Sequence, residues 1–247
     1  MRFCLVLGLF WCGFAFSNPA KADLWIGGHG DIGVALTNTN ELELHFHFEN
    51  AVDAAGGGTI PAGEYAPTDH SVFVAGPPIL RPSGSSWDFL GAPTDSIWYL
   101  ADFVEPNKPF LGWGLEDLDP ADWNGQLTWN LVSVVSAPTG GNFSVWSESF
   151  GTPTVRFATS DGISLADAFT QTAGGHEHFF LGFSREGIYQ VELGISGNHK
   201  TLGNLSGTGV FTFAAGVPEP SSIALLSVVS TGGCFGWMRR KRRPKCS

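Results

Sequence analysis

Five of the seven histidines in this 247-residue chain fall in patterns that can do chemistry. His45 and His47 stand two apart, as do His176 and His178, and His29 stands two before Asp31. Residues i and i+2 of a β-strand share a face, so each pair projects both polar groups to one side of a sheet. Neutral imidazole joined by carboxylate suits zinc, manganese or iron, and a site needs three or four such donors brought together from separate strands. The expectation is that His45, His47, His176 and His178 hold one divalent cation, zinc or manganese, with His29 and Asp31 nearby. The same spacing also describes a solvated polar face, and both readings stay open on sequence alone. His70 beside Asp69 and His199 beside Asn198 read as loop residues without a partner.

Other chemistry is hard to find. The chain has no Gly-x-Ser-x-Gly elbow, no Gly-x-x-x-x-Gly-Lys phosphate cradle and no His-Glu-x-x-His. Acidic residues are abundant, but abundance does not make a catalytic carboxylate pair. The sequence is therefore read as non-enzymatic, a binding module for a divalent metal. The alternatives are a carbohydrate-binding protein, with Trp113 and Trp123 as loop aromatics that stack on sugars, or a purely structural matrix protein. A secreted hydrolase ranks below these.

The elements that must position the histidines are strands. Glu41 to Glu49 alternates strictly, setting Leu42, Leu44, Phe46 and Phe48 on one face and Glu41, Glu43, His45, His47 and Glu49 on the other. Similar short runs recur at 31–36, 71–74, 96–100, 126–135, 143–146, 154–159, 178–183, 187–195 and 209–213. Turn-forming clusters such as Gly56-Gly57-Gly58, Gly76-Pro77-Pro78 and Pro138-Thr139-Gly140-Gly141 separate them. Only Leu165 to Phe169 suggests a helical turn. Many short strands at this spacing predict an all-β fold, an antiparallel β-sandwich-like single domain over 23–216.

The two ends carry addresses. A basic start at Arg2, an apolar run from Phe3 to Phe16 and Ala20-Lys21-Ala22 read as a signal peptide over 1–22. At the other end, 217–247, Pro218-Glu219-Pro220 precedes an uncharged stretch, Ser221 to Met238, and then Arg239-Arg240-Lys241-Arg242-Arg243. A stretch of that length can cross a bilayer as one transmembrane helix, and the basic cluster would stay cytoplasmic. All four cysteines, Cys4, Cys12, Cys234 and Cys246, lie in these end segments, so no disulfide staples the domain. Between the ends, five basic residues face 22 acidic ones, a net charge of −17. Nucleic acid is excluded as a partner by that balance, which suits divalent cations instead.

Pro218, Glu219 and Pro220, the apolar segment and Arg239, Arg240, Arg242 and Arg243 together closely resemble a PEP-CTERM sorting signal. That resemblance implies an exosortase-type membrane protease as partner, transient anchoring in the inner membrane, and delivery to the cell surface, outer membrane or an extracellular matrix with its polysaccharide. The middle of the chain is similar to the choice-of-anchor M domain. The likeness rests on Gly28-His29-Gly30-Asp31-Ile32-Gly33-Val34-Ala35, on His45-Phe46-His47, on Ile97-Trp98-Tyr99-Leu100 with Leu111-Gly112-Trp113-Gly114, and on Gly175-His176-Glu177-His178 running to Tyr189. Phe180 departs from the Trp expected in the wall-repeat-like motif. The resemblance implies an extracellular β-rich surface domain and brings no settled activity.

Overall fold

Period-two alternation carries through into strands along most of the chain. A computed structural model describes residues 23–217. The leader expected over 1–22 and the sorting signal from Pro218 to Arg243 lie outside the described residues. The first half runs through β1 (Asp23–Leu36), β2 (Leu42–Phe48), β3 (Val52–Ala54), β4 (Gly58–Ile60), β5 (Gly63–Tyr65), β6 (His70–Val74), β7 (Ile79–Leu80), β8 (Ser96–Leu100) and β9 (Pro109–Gly114). The second half holds β10 (Leu127–Ser136), β11 (Phe143–Ser149), β12 (Thr152–Ala158), β13 (Ala168–Gln171), β14 (His176–His178), β15 (Phe180–Phe183), β16 (Gly187–His199) and β17 (Gly203–Ala215).

The fold is all-β, as expected, with two short 3-10 turns at Ser85–Leu90 and Pro120–Asp122 among the described residues. The helical turn expected at Leu165 to Phe169 does not form. There the Asp167 carboxylate accepts hydrogen bonds from the Ala158 and Ser164 backbone N–H groups at 2.8 and 2.7 Å, closing a turn that feeds directly into β13. A side chain that satisfies backbone donors in this way competes with helix formation.

The strands sort into a twelve-stranded sheet and a five-stranded sheet, the latter in the order β12-β11-β15-β8-β7. One apolar core joins them: Phe143, Val145, Phe157, Leu181 and Phe183 of the smaller sheet pack in the same cluster as Trp25, Phe46, Trp129, Phe211 and Phe213 of the larger. This is a sandwich-like arrangement, but not a purely antiparallel one. β1 runs parallel to β6 and to β9, and β17 runs parallel to β6. Alternation assigns each residue a face; it carries no information about the direction of the neighbouring strand, which long connections such as that from β1 to β9 leave free.

β1 divides its length between two neighbourhoods. Asp23 to Trp25 pairs with β6 and the same end pairs with β3, whereas Gly28 to Leu36 pairs with β9 and β2. The register breaks between Trp25 and Gly27, and Gly28 follows at φ 89°, a conformation that only glycine adopts without strain. The kink delivers His29 and Asp31 into a five-strand patch ordered β14-β9-β1-β2-β5.

Beneath that patch lies the core. Trp113, Ile32 and Phe46 stand in one cross-strand row and are fully buried, with Trp113 edge-on to Trp129 at 5.2 Å. Trp113 therefore sits in a strand, and Trp123 packs edge-on to His199; both fill the interior and neither is a loop platform. His70 and His199 are likewise strand residues and buried, His70 opening β6 and His199 closing β16.

Candidate metal centre

The polar face of the five-strand patch carries the site. Register places His178 opposite Gly112, Gly112 opposite Asp31, Asp31 opposite His47, and His47 opposite Glu64. The adjoining row reads His176, Gly114, Gly33 and His45. Residues paired across strands point to the same face, so all of these side chains rise from one side of the sheet. Glycine at three positions keeps that side clear. A Cβ on Gly112 would stand 2.0 Å from Asp31 Oδ1 and 2.6 Å from His176 Nε2, and a Cβ on Gly33 would stand 2.6 Å from His45 Nε2.

Two groups of donors result, each with its four ligand atoms within 4.8 Å of one another: His29, Asp31, His176 and His178; and His45, His47, Glu64 and Asp117. The sequence expectation put both His-x-His pairs on one ion with His29 and Asp31 alongside. In the fold the pairs separate, because β2 lies on one side of β1 while β14 reaches it only across β9. His29 and Asp31 join His176 and His178.

In the first group Asp31 is the centre. It is 1% exposed, and neither carboxylate oxygen meets a hydrogen-bond donor. Its Oδ1 stands 3.3 Å from His29 Nε2 and 3.3 Å from His176 Nε2, a loose contact rather than a formed hydrogen bond. His176 and His178 face each other through their Nε2 atoms at 2.9 Å. Their other ring nitrogens are occupied: Glu116 lies 2.9 Å from His176 Nδ1, and the Leu111 carbonyl lies 3.0 Å from His178 Nδ1. Both partners can only accept, so each Nδ1 carries a proton, and in the neutral ring each Nε2 presents its lone pair. With both rings neutral, two lone pairs and a carboxylate oxygen converge on one point.

Charge and burial tune the rings in opposite directions. Asp31 raises the pKa of His29, through close polar attraction first and its charge in addition, while burial opposes the shift. Burial lowers the pKa of His178, which keeps that imidazole neutral, the form that ligates metal. Donors held about 2.0–2.2 Å from a common ion stand roughly 2.8–3.6 Å apart, depending on geometry. The spacings of 2.9 and 3.3 Å fall in that range. Outer carboxylate and carbonyl partners such as Glu116 and Leu111 are those that hold ligating histidines in place.

The chain matches no family model, no curated protein and no solved structure. Among the described residues, two His/Asp/Glu clusters could hold a metal ion.

Two donors, Glu64 and Asp117, and one outer partner, Glu116, escaped the sequence reading. Glu116 and Asp117 project from the turn after β9, where Leu118 N–H donates to the Leu115 carbonyl at 3.1 Å and both leucines are buried as anchors. The Leu111-Gly112-Trp113-Gly114 run held the available signal. A strand with glycine on one face and large apolar residues on the other has room for something on the glycine side.

Proposed function

We propose that the protein is an exported surface domain that holds a divalent transition-metal ion, zinc above all, between His29, Asp31, His176 and His178. The reading rests on one observation: two imidazole Nε2 atoms 2.9 Å apart beside a buried carboxylate with no hydrogen-bond donor. With both rings neutral such an arrangement is repulsive by itself, and a buried carboxylate without a hydrogen-bond donor costs several kcal/mol, about the penalty a bound cation removes. Three nitrogens and one oxygen suit zinc. Four protein donors fill a four-coordinate ion, whereas catalytic zinc keeps one position open, which favours binding over catalysis.

A metal in this position ties β1 to β14 across β9, joining segments near opposite ends of a domain that has no cysteine within 23–216. Export fits the two end segments, and their resemblance to a signal peptide and a PEP-CTERM tail supports an exosortase-type protease as partner. The similarity to the choice-of-anchor M domain supports the surface or the extracellular matrix as destination. The −17 charge of the body favours cations there.

One experiment tests both parts. The full-length chain is produced in an exosortase-bearing host, recovered by fractionation, sized by mass spectrometry and assayed for metal after desalting. The expected product is trimmed at both ends, resides at the surface and retains one tightly held zinc, which Asp31→Asn lacks. Recovery from the cytosol with both ends intact overturns the export reading; a metal-free parent overturns the zinc reading.

A further inference from the structure

On the other side of β1, the second group of donors stands on residues of its own. We propose that His45, His47, Glu64 and Asp117 bind a second divalent cation, making the polar face of the patch a two-ion centre. His45 is 5% exposed, yet its Nε2 is buried without a hydrogen-bond partner, and so is His47 Nδ1. Both atoms turn toward Asp117 Oδ2, at 3.7 and 3.9 Å. Those gaps are too long for hydrogen bonds. At tetrahedral angles they place the donors roughly 2.3–2.4 Å from a common ion, longer than zinc prefers and in the range of larger, harder cations. Two carboxylates beside two imidazoles point the same way, to manganese rather than zinc.

The surroundings supply room and access. Gly33 leaves the space in front of His45 Nε2 that a methyl group would fill at 2.6 Å. A solvent-facing pocket of about 190 Å³, lined by Ala35, Glu43, His45, Glu64, Tyr65 and Ala66, opens onto the same histidine. An ion here exchanges with solvent more readily than one enclosed by Asp31.

The two groups are adjacent and mechanically joined. Asp31 of the first and His47 of the second are register partners, which puts their Cα atoms about 5 Å apart. Glu116 and Asp117 are neighbours on one turn, Glu116 holding His176 and Asp117 facing His45 and His47. Occupancy of either group fixes the turn that serves the other, while repulsion between two dications weakens the second step.

The test uses the full chain in detergent, loaded with zinc, desalted and titrated with manganese, the free ion being followed by its paramagnetic resonance signal. The zinc-loaded parent takes up one manganese per chain. Asp117→Asn and Glu64→Gln, both exposed and outside the core, weaken that uptake at least tenfold and keep the zinc. His176→Ala loses the zinc and still takes up manganese at the second group. No manganese uptake by the zinc-loaded parent, or uptake unchanged in both carboxylate variants, overturns the proposal. Because it rests on a separate set of donors, a parent that holds manganese but no zinc overturns only the first reading.

Discussion

Adding one methyl group at Gly112 tests the metal centre without replacing any of its donors. The new Cβ in Gly112→Ala would lie 2.0 Å from Asp31 Oδ1, about 1 Å inside the 3.0 Å that carbon contacts essentially never breach, and 2.6 Å from His176 Nε2. Metal–ligand distances tolerate about 0.2 Å. The carboxylate must therefore retreat by several times the tolerance, or His176 must turn away from it. Loss of an outer partner alone costs 10–100-fold in affinity, so displacing a donor costs about 100-fold or more, close to 2.8 kcal/mol. Zinc affinity is read by competition with a chromophoric chelator, and thermal melting with and without zinc provides a second readout through mass action. The variant keeps its β-type circular dichroism and loses the zinc-dependent rise in melting temperature. Gly58→Ala, where nothing lies within 4 Å of the new methyl, leaves zinc affinity unchanged and controls for the substitution itself. An affinity for Gly112→Ala within threefold of the parent refutes the reasoning.

Two further outcomes concern the frame around the site. Gln171 donates to the Trp113 carbonyl and accepts from Trp129 Nε1, both at 2.8 Å, fastening β9 to β10 beneath the metal centre; Gln171→Leu leaves these groups buried and unpaired and costs about 2–4 kcal/mol in urea unfolding, a loss under 0.5 kcal/mol being the contrary result. His70 is buried among Phe46, Phe48 and Tyr65 with neither ring nitrogen bonded, and burial lowers its pKa against the opposing charges of Asp23 and Asp69. The unfolded chain then binds the extra proton first, so this stability is complete above about pH 6.5 and declines as pH falls below it. Melting in chelator from pH 7.5 to 5 should fall more steeply for the parent than for His70→Phe, and equal slopes would contradict the assignment.

Much of this fold is visible in residue order. Glu41 to Glu49 alternates so regularly that Leu42, Leu44, Phe46 and Phe48 all bury as expected. The surprise is on the opposite face, where His45 is buried too. A polar face reads as solvated until something covers it, and here the Leu115–Leu118 turn does so from a distant part of the chain. β9 and β13 were not expected as strands: Pro109–Gly114 has two glycines, and Ala168–Gln171 is short and follows a turn. Both are held by their neighbours, β9 by β1 and β14, and β13 by β10. Strand preference of this kind belongs to the context more than to the residues.

The candidate metal site shows where reading along a chain stops. Spacing of two puts His45 with His47 and His176 with His178 on common faces, and the structure bears this out, since spacing is a property of one strand. Which pair meets which partner is a property of lateral order and register. A one-residue slip of β1 against β9 would turn Asp31 to the core side and set Ile32 among the histidines, leaving the sequence motifs intact and the site destroyed. What prevents the slip is apolar and lies on the hidden face, where Ile32, Trp113 and Phe46 must share one buried row. The glycines at 33 and 112 do the complementary work on the polar face, since side chains there would stand where the donor atoms meet. The residues that decide whether these histidines bind metal are therefore as much the tryptophan and the glycines between them as the histidines themselves.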